Sequence, residues 1–132
     1  MIQLRVVTPY GNGFEEEVDR VIVRGSEGDL ALMKSTAPIV TPLAIGKIQV
    51  ISSEGKSKVG NINSGYVSMK NDVVTVVTDA FEWEENVDIA RVQEAKKRAE
   101  ERIAKAANDK NIDLKRAQLA LARAKNRLEK LD

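Results

Sequence analysis

The sequence predicts an α+β protein, with an N-terminal antiparallel β-sandwich or flattened barrel over residues 1–86 and a C-terminal antiparallel two-helix hairpin over residues 87–132. Three observations carry this reading. Up to Asp79, apolar residues alternate with polar ones or gather in short β-branched runs, separated by turn residues at intervals of about 8–12 residues. After Asp79 the apolar period changes to that of a helix. The charge divides at nearly the same place: residues 1–87 carry 8 Lys/Arg and 12 Asp/Glu, while residues 88–132 carry 13 and 8. A net of −4 is thus followed by a net of +5, hidden within an overall +1. Two modules with different partners are expected.

Within the first module, Ile2, Leu4 and Val6 alternate with Gln3, Arg5 and Val7, the period of a half-buried strand. Thr8-Pro9-Tyr10-Gly11-Asn12-Gly13 supplies a turn, because Pro cannot join a central ladder and Gly-Asn-Gly tolerates positive φ. Val18 and Val21-Ile22-Val23 make the second β segment, ended by Gly25-Ser26-Glu27-Gly28. Leu30-Ala31-Leu32-Met33 and Lys47-Ile48-Gln49-Val50-Ile51 continue the pattern. Ser52-Ser53-Glu54-Gly55 is a hairpin signal ahead of Val59, Ile62, Tyr66, Val67 and Met69. Asn71-Asp72 then turns the chain into Val73-Val74-Thr75-Val76-Val77-Thr78, the most β-branched run. No sequence repeat and no low-complexity tract is expected.

In the second module, Phe81-Glu82-Trp83-Glu84-Glu85-Asn86 is an acidic hinge with the sole Trp, and Asn86 or Asp88 caps the first helix. Ile89, Val92, Ala99, Ile103 and Ala106 form one stripe, with Lys96 as its weak point. Asn108-Asp109-Lys110-Asn111 closes the pair as a four-residue link. Leu114, Ala117, Leu121, Ala124, Leu128 and Leu131 keep a heptad seam in the second helix. Alanine brings helices close but buries little area, so the hairpin is expected to open while each helix survives.

Composition removes several function classes. With no cysteine there is no disulfide framework or thiol chemistry, and with no histidine there is no imidazole metal site or histidine acid–base catalysis. A non-enzyme without catalytic or metal-binding residues is therefore expected. The N-terminus lacks the pattern of a signal peptide, and no run approaches the roughly 18 apolar residues of a spanning helix, so direct membrane insertion is not expected. The hairpin has no aromatic residue to interleave with its basic ones, which disfavours nucleic acid. Gly25-x-x-Gly28 is a turn in preference to a phosphate loop, and Glu15-Glu16-Glu17 a solvated strand edge in preference to a metal site.

Asp88, Arg91, Arg98 and Arg102 share one side of the first helix, and Arg116, Arg123 and Arg127 one side of the second. In an antiparallel pair these rows can converge on one anion, for which the planar arginine fork is suited. The plainer account is a solvated face with i,i+4 pairs such as Glu94–Arg98. Spacing alone leaves both open.

A resemblance covers the entire chain. Val23-Arg24-Gly25-Ser26-Glu27-Gly28-Asp29-Leu30 is similar to a G-x-x-G-x-[LIF] segment of the epsilon subunit of bacterial F-type rotary ATP synthase. Ala37-Pro38-Ile39-Val40-Thr41-Pro42-Leu43-Ala44-Ile45-Gly46 is similar to that family's A-P-x-x-[TS]-x-L-x-x-G segment, with Thr36 where His is usual. The tail from Leu114 to Leu128 resembles the R-A-x-x-A-L-x-R-A-x-N-R-L of bacillus-like members. In those members ATP binds the folded hairpin through [IL]-D-x-x-R-A. The matching positions here are Val87, Asp88, Arg91 and Val92, with Val92 in place of the family's Ala. The resemblance further implies nucleotide contacts at Glu82, Arg98, Arg123 and Arg127, with Arg116 nearby. The larger Val92 is expected to crowd the adenine side.

The same resemblance implies a non-catalytic rotor-stalk subunit. Its sandwich would dock on the gamma subunit and the ring of c subunits, coupling proton or sodium flow to rotation. Its hairpin would switch between a compact state that binds ATP as a regulatory ligand and an extended state that meets the beta (and alpha) subunits and inhibits hydrolysis. Participation of Mg²⁺ is left open, and the compact state is the one expected for the isolated chain. The location implied is peripheral, on the cytoplasmic face of the bacterial plasma membrane. The rival is a stand-alone nucleotide- or anion-sensing module with an unrelated partner.

Overall fold

The computed structural model describes residues 1–11, 13–25 and 28–129. Asn12, Ser26 and Glu27 of the expected turns, and Leu131 of the expected seam, lie outside the described residues. The chain forms two compact units, Met1–Glu84 and a second beginning at Glu85.

The first unit contains nine strands among the described residues: β1 (Ile2–Val7), β2 (Phe14–Val18), β3 (Arg20–Gly25), β4 (Gly28–Met33), β5 (Ile39–Ile51), β6 (Ser57–Ile62), β7 (Gly65–Lys70), β8 (Val73–Thr78) and β9 (Phe81–Trp83). They hydrogen-bond in the order β2-β1-β8-β7-β5-β3-β4, with β6 pairing both β5 and β9. The long β5 pairs β7 through Ile39–Leu43 and β6 through Gly46–Ile51, so one strand serves two layers and curls the sheet into a half-barrel. All pairs are antiparallel except β1 with β8, which run parallel from Gln3↔Val73 to Val7↔Val77. The intervening strands supply the long crossover that a parallel pair requires.

Alternation explains the core. Ile2, Leu4 and Val6 of β1, Val21 and Val23 of β3, Ile48 of β5, Val67 and Met69 of β7 and Val74 and Val76 of β8 all point inward. The β7–β8 connection is the two-residue Asn71-Asp72, both at positive φ (53° and 61°), the conformation that a tight hairpin selects Asn and Asp to adopt. Gly60 serves a different need: a Cβ there would lie 2.6 Å from Cε2 of Phe81. Glu15, Glu16 and Glu17 are exposed on β2 at the end of the strand order, and Glu15 pairs with Arg5 at 3.2 Å.

The acidic segment expected to be a hinge is instead β9 and a 3₁₀ turn, Glu84–Asn86. Phe81 and Trp83 are drawn into the sheet by packing with Phe14. Ring centroids lie 5.2 Å apart for Phe14–Phe81, 5.2 Å for Phe14–Trp83 and 4.9 Å for Phe81–Trp83. Phe14 lies on β2 and the other two on β9, strands with no ladder between them, so aromatic packing joins what hydrogen bonds leave open. Lys58 Nζ stands 5.3 Å from the Trp83 ring centroid.

The second unit holds α1 (Ile89–Ala106) and α2 (Leu114–Leu128), packed against each other. The link runs over residues 107–113, longer than the four residues expected, because α2 takes Asp113 as its N-cap and Asp109 Oδ1 accepts from Asn111 N at 2.9 Å in a turn of its own. At 18 and 15 residues, the helices extend about 27 and 22 Å. Val92 and Ala99 are the buried residues of α1, and Ala117 and Ala124 those of α2. No helix among the described residues is long and apolar enough to cross a membrane.

Candidate functional site

Asp88 Oδ1 accepts from Arg91 N at 3.2 Å and caps α1. Asp113 Oδ1 accepts from Arg116 N at 3.1 Å and caps α2 in the same way. This equivalence extends along both helices and corrects the expectation that the chain has no repeat. Shifting residues 88–104 by 25 superposes them on 113–129 with seven of seventeen identical: Asp88/Asp113, Arg91/Arg116, Gln93/Gln118, Ala95/Ala120, Arg98/Arg123, Ala99/Ala124 and Arg102/Arg127. The buried positions follow the same shift, Val92 onto Ala117 and Ala99 onto Ala124.

Two antiparallel helices with one shared pattern are related by a two-fold axis perpendicular to the plane that contains them. Such an axis keeps the front of one helix at the front of the other. Arg91, Arg98, Arg116 and Arg123 each precede a buried residue, and so stand about 100° round from the seam in the same sense. Arg102 and Arg127, three residues beyond Ala99 and Ala124, stand about 60° round on that same side. All six arginines therefore belong to one face of the hairpin.

Their heights follow from the seam. Counting equal numbers of residues back from Ala106 and on from Leu114 puts Ile103 level with Ala117, Ala99 with Leu121, Lys96 with Ala124 and Val92 with Leu128, residues that are all buried or half-buried. At 1.5 Å per residue, Arg98 and Arg123 then differ in height by about 1.5 Å. Arg91 with Arg127, and Arg102 with Arg116, each differ by about 3 Å. The face is a ladder of three cross-helix arginine pairs about 8 Å apart, with the Arg98–Arg123 pair on the pseudo-two-fold axis.

Arg91, Arg98, Arg102, Arg116 and Arg123 are exposed, Arg127 is half-buried, and the expected Glu94–Arg98 pair does not form. The ion pairs Arg5–Glu15, Arg24–Asp29 and Glu54–Lys56 lie in the first unit. Glu94, three residues from Arg91 and four from Arg98, and Glu101, three from Arg98, border the α1 side of the row, whereas Arg102 has no acid three or four residues away and Arg116 has only Asp113. A like-charged row of planar forks, in which Arg91, Arg98, Arg102, Arg116 and Arg123 take part in none of these ion pairs, is suited to bidentate binding of an extended phosphate group.

The other expected contacts are placed differently. Val92 is fully buried in the seam and Val87 is half-buried just ahead of the cap. Glu82 lies on β9 of the first unit, where Oε1 accepts from Asn61 Nδ2 at 3.5 Å. The Oδ1 atom of Asn61 accepts from Lys47 Nζ, so Lys47, Asn61 and Glu82 form a row in direct register across β5, β6 and β9. Sequence reasoning missed Lys47 and Asn61, for which there is no local signal. It placed Arg102 on the arginine side of the first helix without assigning it a partner. The height count across the seam identifies that partner as Arg116.

Comparison with known proteins agrees with both units. The family model described as the beta-sandwich domain of the ATP synthase delta/epsilon chain matches residues 1–84, and that of its long alpha-helix domain matches residues 85–130. The chain is 39% identical over 101 residues to the "ATP synthase epsilon chain, sodium ion specific" of Acetobacterium woodii, covering 76% of each protein. It is 40% identical over 102 residues to the ATP synthase epsilon chain of Alkaliphilus oremlandii, covering 77% of this chain and 75% of that one. Among solved structures, a chain of the Euglena gracilis mitochondrial ATP synthase superposes with a TM-score of 0.80 at 20% identity, over 95% of this chain and 78% of the other, a likeness of fold. A half-barrel sheet followed by a capped two-helix unit, matched in both parts by one family, shows that the chain belongs to the ATP synthase delta/epsilon chain family, on the epsilon side.

Proposed function

We propose that this chain is a central-stalk subunit of an ion-translocating F-type ATP synthase, peripheral to the membrane, whose hairpin is an ATP-sensitive brake on hydrolysis. No residue of the chain performs the chemistry. Its part is mechanical: the sandwich transmits rotation between the ring of c subunits and the gamma subunit, and the hairpin changes state. The outer sheet face offers a docking surface for gamma. Pro42, Tyr66, Val77 and Val7 stand side by side across β5, β7, β8 and β1, with Val40 beside them 73% exposed and Tyr66 47% exposed. An apolar row of this kind on an outer face marks an interaction site.

The observation that carries the regulatory reading is the arginine face. Arg91, Arg98 and Arg123 have no ion pair within the hairpin, and together with Arg127 they make the two ladder pairs nearest Asp88. Bound across both helices, the phosphates of ATP hold α1 and α2 together and neutralise the mutual repulsion of the cations. Because the fully buried part of the seam is only one valine and three alanines, such a ligand shifts the balance toward the folded hairpin by its preference for that state alone. With ATP scarce, the helices separate and the basic faces become available to beta subunits.

ATP titration by calorimetry tests this reading. The wild-type chain binds, and Arg91→Ala and Arg123→Ala each weaken binding by about 10–100-fold, the range for loss of a charge-assisted hydrogen bond. Equal heats for all three proteins, or no heat from any, would remove the nucleotide site and leave family membership standing.

A further inference from the structure

The proposed nucleotide site uses two of the three arginine pairs. The hairpin's own symmetry relates the unused pair, Arg102–Arg116, to the outer pair Arg91–Arg127. The capping residues are exchanged by the same operation, Asp88 for Asp113. The central Arg98–Arg123 pair maps onto itself. Any chain of phosphates held by one outer pair and the centre thus meets a second outer pair of the same residue type, on the same face, at the same spacing.

We propose that the hairpin binds linear oligophosphates longer than a triphosphate, with Arg102 and Arg116 as a third phosphate-binding rung. The outer rungs are about 16 Å apart, a span that a triphosphate does not cover and a longer phosphate chain does. Arg102 and Arg116 are exposed and make no ion pair among the described residues, so neither must break an internal contact to take part. Arg102 has no acidic residue three or four positions away, and Arg116 has only Asp113, whose Oδ1 is engaged with the Arg116 backbone N–H. An extended anion with repeating charge is the ligand that matches a row of paired forks. A single compact anion would leave at least one pair without a partner. The inference extends the nucleotide reading by one rung and is tested apart from it.

The test compares tripolyphosphate with linear hexaphosphate on the full chain, by calorimetry at fixed ionic strength, in the wild type and two double variants. The wild type is expected to hold hexaphosphate at least about 10-fold more tightly than tripolyphosphate, the effect of one further charge-assisted contact. R102Q/R116Q is expected to abolish that difference while leaving tripolyphosphate binding within about 2-fold of wild type, the statistical factor for losing one of two equivalent positions. K97Q/K115Q removes the same charge from the far side of the helices and is expected to preserve the difference. R102K/R116K keeps the charge but not the fork, and is expected to retain only part of it. Hexaphosphate binding no tighter than tripolyphosphate, or weakened equally by K97Q/K115Q and R102Q/R116Q, would overturn the third rung. Neither result touches the ATP reading, which stands or falls on Arg91 and Arg123.

Discussion

Asp88 shows how much a single residue can hold together at this site. Its carboxylate terminates α1 by accepting from Arg91 N, so the residue that the family motif associates with nucleotide is also the helix cap. The two roles separate by substitution. Asp88→Ala removes both and is expected to lower hairpin stability by about 1 kcal/mol, the usual effect of losing an N-cap. Asp88→Asn keeps a capping oxygen while removing the charge, and is expected to melt like wild type when followed by circular dichroism at 222 nm. If Asn destabilises as much as Ala, charge at the helix terminus is what matters. Asp88 was legible in the sequence because it immediately precedes a clear helical period. Its counterpart Asp113 was not, since Asn108, Asp109 and Asn111 are rival turn formers just upstream. Glu82 was legible as an acidic residue near the module boundary, but its partner Asn61 is 21 residues away on another strand, and cross-strand register cannot be read from either segment alone.

At the scale of elements, β2 and β9 share no hydrogen-bond ladder, and Phe14, Phe81 and Trp83 make the junction between them. Phe14→Ala is expected to cost the sandwich about 3 kcal/mol and to redden Trp83 emission in the native state as water reaches the indole. An unchanged emission maximum with an unchanged unfolding midpoint would show that the strands are held without it. Strands with strong β-branched runs, β1, β3 and β8, were legible from period and composition, and the turn at Asn71-Asp72 from its residue types. Two stretches were not. The first half of β5 contains Pro42, a residue that argues against a central strand. The structure accommodates it just beyond Leu43, where pairing with β3 ends and β5 has β7 as its neighbour, so a missing N–H need cost no ladder bond. The second is β9, whose Glu82 and following acids mask two aromatic residues that only tertiary packing recruits into the sheet.

For the molecule as a whole, the charge division and the two cores tell one story. Among the described residues the sandwich buries sixteen hydrophobic residues in one cluster, including Leu4, Ile48, Ile62 and Met69, while the buried residues of the two helices are Val92, Ala99, Ala117 and Ala124. Burial stabilises in rough proportion to apolar area, so the second unit has far less to hold it. Three stacked arginine pairs add repulsion to that deficit. The change of charge at the boundary was legible directly; the repeat that organises it was not, because a heptad reading follows the apolar seam and ignores identities spread at 25 residues along the polar face. The consequence is a two-step melt. Ellipticity at 222 nm, dominated by the helices, is expected to fall at a lower temperature than the fluorescence of Trp83, which reports the sandwich. Raising salt from about 0.01 to 1 M shortens the screening length from about 30 to 3 Å. Since the arginine repulsion is then screened, the first transition should move upward and toward the second. A single transition seen by both probes, at a midpoint indifferent to salt, would mean that the hairpin is neither the weaker unit nor held open by its own charge, and a ligand-biased opening of the helices would lose its physical basis.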